Sequence, residues 1–127
     1  MENDYCSYEL SLALKAAGFN YPCYFYYTRE DASDEHVWST TSEEAPVDYN
    51  RSIYAGCSMP LLSQAQKWLR EVKHISVRVS YIAYHKVWFA DWLNLETGEF
   101  DDTDANFDSY EEALADGIAV ALQLLDN

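Results

Sequence analysis

Leu10, Ala13, Leu14 and Ala17 recur at three- and four-residue spacing, which predicts a helix over residues 7–17 with one apolar stripe. Ser7 stands where an N-cap is wanted, and Gly18 stands where a left-handed C-terminal residue is wanted, with Phe19 free to pack back on the helix. Pro22 prevents the helix from resuming. Residues 23–28, CYFYYT, then read as a strand with rings on both faces: Tyr24 and Tyr26 on one, Phe25 and Tyr27 on the other. Such a strand is covered on both sides or leaves an aromatic face exposed.

Residues 29–51 are polar and acidic, and the pattern there supports only one short strand, within 36–41. A connection this long is expected to be functional or partly mobile. Residues 52–57 read as another short strand. Ser58 or Met59 then reads as a helix cap, with Pro60 in the first turn and Leu61, Ala65, Trp68, Leu69 and Val72 as the apolar stripe. Residues 75–84 and 87–95 alternate cleanly. Val77, Val79 and Tyr81 oppose Arg78 and Ser80; Trp88, Ala90 and Trp92 oppose Phe89, Asp91 and Leu93. His85-Lys86 reads as the hairpin turn, and Thr97-Gly98 as a second turn leading to a third strand at 99–101. The last element opens on Ser109-Tyr110-Glu111-Glu112, a capping box, and continues with Leu114, Ile118, Ala121, Leu122 and Leu125 facing a core. The predicted order is α-β-(β)-β-α-β-β-β-α. This is an α+β fold, a mainly antiparallel sheet with about three helices on one face. The whole of residues 1–127 reads as one domain.

Charge changes this picture. The chain carries 22 Asp and Glu against 8 Lys and Arg, a net −14. Residues 1–50 hold ten acids and two bases, and residues 87–127 hold eleven acids and no base. Residues 51–86 hold six bases and a single acid, Glu71, which is placed to pair with Lys67 one helical turn away. This balance argues against direct binding to nucleic acid or an anionic membrane. It leaves a solvated acidic surface or a surface that binds a basic partner. No apolar run approaches the roughly 20 residues that span a bilayer, and the first residues lack a signal-peptide pattern. Three unpaired-looking cysteines, Cys6, Cys23 and Cys57, fit a reducing compartment, so a cytoplasmic location is expected.

Chemistry is harder to find. Asp102, Asp104 and Asn106 imitate the opening of a calcium loop, but Phe107 stands where the loop needs Gly and Ala113 where it needs Glu. The cysteines, with His36, His74 and His85, lack the close pairing of zinc ligands and form no legible nucleophile pair. There is no phosphate loop and no nucleophile elbow. No cofactor, metal or catalytic residue is assigned, and the sequence leans away from an enzyme. The strongest functional lead is aromatic: Tyr24, Tyr26, Tyr27, Trp38, Trp88 and Trp92 exceed what helix cover over a small sheet requires and form a candidate interaction surface.

Three segments carry a resemblance: SYELSLALKAAGFNYPCYFYY, SMPLLSQAQKWLREVKHISVRV and FDSYEEALADGIAVALQLL. Together they resemble a group of short proteins from Bacteroides-type gut bacteria, their prophages and mobile elements. The shared motifs are helix caps, apolar stripes and a Gly-Phe-x-x-Pro-Cys turn, and residues 29–50 are more acidic here than in that group. The group has no assigned activity, so the resemblance implies a mobile-element or prophage accessory protein and no catalytic residue.

Three function classes follow. The first is a non-enzymatic protein-interaction domain whose partner is a host protein or a second copy of the chain; a homodimer formed through the sheet or through helix faces is compatible with all three classes. The second is a small-ligand binder or enzyme with a site formed across the sheet. The third is an acidic DNA mimic, which the basic 51–86 stretch opposes.

Overall fold

A computed structural model describes residues 4–28, 37–39, 46–51 and 55–125. Its elements are α1 (Tyr8–Ala16), β1 (Phe25–Thr28), β2 (Val37–Ser39), β3 (Ala55–Ser58), α2 (Leu62–Val72), β4 (Ile75–Ile82), β5 (Val87–Asn94), β6 (Phe100–Asp102) and α3 (Tyr110–Leu125). A 3-10 turn covers Tyr49–Arg51. The fold is α+β, in the order that the sequence predicts.

The strands divide into two antiparallel three-stranded sheets, β2-β1-β3 and β4-β5-β6. The second is the more regular. Eight consecutive pairs join β4 to β5 without a slip, from Ile75↔Asn94 to Ile82↔Val87. The turn between them spans Ala83 to Lys86, and Lys86 takes the left-handed conformation (φ 56°) that closes it. The first sheet carries an irregularity between Tyr27 and Thr28 where β1 meets β3. Helix α3 lies on β4 and β5, α2 lies beside it on β4, and α1 joins α3 to β3.

Local signals explain where the helices begin and end. The Ser7 hydroxyl accepts from the Leu10 amide at 3.2 Å. Gly18 has φ +98°, and the amides of Gly18 and Phe19 return to the carbonyls of Lys15 and Leu14. Phe19 then turns inward and meets Trp68 edge to face, with centroids 5.4 Å apart. At α3, the Ser109 hydroxyl accepts from the Glu112 amide at 3.1 Å, and the Glu112 carboxylate reaches back to that hydroxyl at 3.0 Å.

Helix α2 begins later than its sequence suggests. Ser58 is the last residue of β3 rather than a cap, because its groups are already engaged by residues 49 and 50. Its hydroxyl accepts from the Tyr49 amide, and its amide donates to Asn50 Oδ1. Pro60 precedes the helix, and its carbonyl accepts from the Cys6 amide. Leu61 takes the cap position, where Gln64 Oε1 accepts from its amide.

Leu14, Phe19, Trp68, Leu69, Ile118 and Ala121 are fully buried where the three helices converge on Ile75 and Val77 of β4. Each large apolar side chain removed from water here contributes on the order of 1.5–3 kcal/mol. Gly117 lets α3 approach the sheet closely: a Cβ there would lie 2.6 Å from Val77 Cγ1 and 2.8 Å from the Ala90 Cβ. No helix among the described residues is long and apolar enough to cross a membrane.

Candidate binding groove

The six aromatic residues singled out in the sequence do not form one surface. Tyr27 is only 4% exposed and belongs to the core; its ring meets Tyr8 edge to face at 5.3 Å, and its hydroxyl donates to the Cys6 carbonyl at 2.7 Å. Tyr26 stacks on Tyr49 with centroids 4.4 Å apart, and Tyr24 is exposed. The β1–β2 register places Trp38 opposite Tyr26; its side chain lies outside the described residues. Trp88 and Trp92 stand in the other sheet. Trp88 packs between Tyr81 and Tyr110, and Trp92 packs on the main core. Of these rings Tyr27 is buried, Tyr26, Trp88 and Trp92 are half-buried, and Tyr24 is exposed.

The other candidates also find ordinary partners. Glu71 accepts from the Tyr21 hydroxyl at 2.7 Å rather than pairing with Lys67, and that bond holds the Tyr21 phenol above its usual pKa. Asp102 Oδ1 accepts from the Asp104 amide, a local turn contact. Among the described residues no three His, Cys, Asp or Glu side chains are grouped to hold a metal ion. His36 and the carboxylates of 30–35 and 43–44 lie outside the described residues. The three cysteines are buried free thiols. Burial pushes Cys23 up to about 12 and Cys57 up to about 11, and raises Cys6 further with the help of neighbouring Cys23. Protonated and enclosed thiols are poor nucleophiles and poor metal ligands.

A different site stands out between α1 and α3. Residues of both helices line an open groove of about 550 Å³. Small side chains make up much of its lining: Ala13 and Ala16 from α1, Ala17 at its C-cap, and Ala115 and Ala119 from α3. Leu10, Leu122 and Phe107 supply the larger apolar surface. Phe107 is fixed by a two-way backbone pairing with Trp88, at 2.8 Å in each direction. The charged groups in the lining are Glu9, Glu112 and Asp116, all acids.

The absence of a base in the lining has a simple origin. The groove walls come from the two base-poor parts of the chain. Residues 87–127 contain none, and Lys15 of α1 turns away to donate to the Gly56 carbonyl at 2.7 Å. Among the described residues Asp116 Oδ2 is buried without a hydrogen-bond partner. A carboxylate oxygen in that position favours any donor that enters, because an unpaired buried acceptor is costly. No family model matches this chain, and neither does any curated protein or solved structure. The groove must therefore be read from its own chemistry.

Of the stripe that the sequence predicts for the first helix, Leu10 and Leu14 are buried and Ala17 packs against the core, whereas Ala13 is exposed and lines the groove beside Ala16. One signal was present: Glu112, Ala115, Asp116 and Ala119 repeat at helical spacing along α3, mixing acid with small apolar residues.

Proposed function

We propose that this domain is a protein-interaction module that seats a basic, amphipathic helical segment of a partner in the α1–α3 groove. The observation that carries this reading is the lining itself: five alanines, with Glu9, Glu112 and Asp116 as its charged residues. Small side chains allow a third helix to approach to the lower end of the 8–10 Å range of helix packing. Three carboxylates select lysine or arginine along the edges of that helix and steer its approach. The buried Asp116 oxygen supplies one position where a cation is both attracted and needed. The chain's net −14 raises the local concentration of cationic partners further. The resemblance to mobile-element proteins favours a host protein as the source of the segment.

The test is a fluorescence-anisotropy titration with a labelled helical peptide composed of Lys, Ala and Leu. Binding is expected in low salt and should weaken at least tenfold, a loss of about 1.4 kcal/mol, in the Ala119→Trp variant that fills the groove. Asp116→Asn should weaken it and flatten its salt dependence. Equal binding by the native chain and Ala119→Trp, or no binding at all, would overturn the reading. Binding of a simple diamine at the same site, with none of the peptide, would instead assign the groove to a small cation.

A further inference from the structure

The two edges of the second sheet are not alike. Strand β6 is three residues long and carries Asp101 and Asp102, so charge and brevity protect it. Strand β4 is eight residues long, has no proline and no bulge, and carries a single charge, Arg78, tied to Asp91 at 2.8 Å.

The hydrogen-bond pattern shows which groups of β4 face outward. Trp88 exchanges backbone bonds with Phe107, and the Ala90 carbonyl accepts from the Thr103 amide, so these residues of β5 point their backbone away from β4. Their neighbours Phe89 and Asp91 must then bond to Ser80 and Arg78, their register partners on β4. Val77, Val79 and Tyr81 are left with amides and carbonyls directed at the open edge. One of these is occupied: Gln66 Nε2 donates to the Val77 carbonyl at 2.8 Å. Among the described residues no hydrogen bond reaches the outward groups of Val79 or Tyr81.

We infer that β4 pairs antiparallel with β4 of a second copy across a twofold axis at Ser80. In this register Val79 exchanges both backbone bonds with Tyr81 of the second copy, and the symmetry repeats the exchange, so all four open groups are satisfied. The alternative register centred on Val79 would call on the Val77 carbonyl that Gln66 already holds. The Ser80 register also places a β-branched side chain opposite an aromatic one on one face, a favourable cross-strand pair. On the other face Arg78 opposes Ile82, and no like charges meet. The junction lies within residues 51–86, the part of the chain outside its two acidic blocks. The result is a continuous six-stranded sheet, β6-β5-β4-β4-β5-β6. This inference does not depend on the groove.

Sedimentation of the full chain tests the assembly, and cysteine substitution tests its register. Ser80 is exposed, so Ser80→Cys leaves the fold intact. Across the axis the two introduced residues form a non-hydrogen-bonded pair with Cα atoms about 4.5 Å apart, within reach of a disulfide. Ser76→Cys is the control, since its two copies would be eight residues apart along the strand, about 27 Å. With diamide as oxidant, Ser80→Cys is expected to run as a covalent dimer on a non-reducing gel and Ser76→Cys as a monomer. The native chain should sediment at twice its monomer mass. A native chain that stays monomeric at about 200 μM, or a dimer that Ser80→Cys does not cross-link, overturns the inference.

Discussion

The Tyr27 hydroxyl donates to the Cys6 carbonyl across 2.7 Å, tying strand β1 to the residue that precedes the cap of α1. Both residues are buried, at 4% and 1% exposure. Tyr27→Phe keeps the ring against Tyr8 but deprives the carbonyl of this donor. The expected loss of stability is about 1–3 kcal/mol, read as a lower midpoint in urea with an unchanged slope.

Gly117→Ala should destabilise the protein although alanine is the better helix former. The added methyl collides with Val77 and Ala90, which are themselves buried and cannot swing into solvent. Overpacking costs about 1–3 kcal/mol, against a helix-propensity gain of about 1. A lower melting temperature for Gly117→Ala, partly restored by adding Ala90→Gly, would identify the collision as the cause.

Ser109→Ala removes the acceptor for the Glu112 amide and the donor for its carboxylate. A loss of about 1 kcal/mol is expected. Hydrogen exchange should quicken at the first turn of α3 and remain slow at Ile118 and Ala121.

The cysteines set an alkaline limit. Each folded thiol titrates above its unfolded value, since burial raises all three, with Cys57 at about 11 and Cys23 at about 12. Between the unfolded and folded values the unfolded chain has released thiol protons that the folded chain still holds. Stability is therefore full below the unfolded value and declines as pH climbs from there through 11 and 12. Ellman's reagent at neutral pH should label no thiol in the native protein and three after unfolding; native labelling would place a cysteine at the surface.

The helix ends were written plainly in the sequence because each rests on a few neighbouring atoms. Ser7, Gly18 and Ser109 do in the structure what their positions suggest. The two-sheet division was not legible, since alternation shows that a segment is a strand but not which strand it joins. The division of the aromatic residues was hidden for the same reason: Tyr27 is buried in the first sheet, while Trp88 and Trp92 stand half-buried in the second. Ser58 misled because a serine before a proline suits a cap equally well as a strand end, and the choice was made by distant Tyr49 and Asn50. The groove was hidden by its alanines, which suit a core and an exposed floor equally. Only the meeting of α1 and α3 in the folded chain, a tertiary fact, separates the two roles.

Two glutamines two residues apart on α2 reach in opposite directions. Gln64 donates to the Pro22 carbonyl at the approach to β1, and Gln66 donates to the Val77 carbonyl in β4. One helix is thus fastened to the chain leading into the first sheet and to an edge of the second. Neither sheet can be cut away as a working fragment, for the excised half would take α2 from the half left behind. Loosening at either end is felt at the other, so the chain should melt as one unit, and β1 and β4 should lose their exchange protection together.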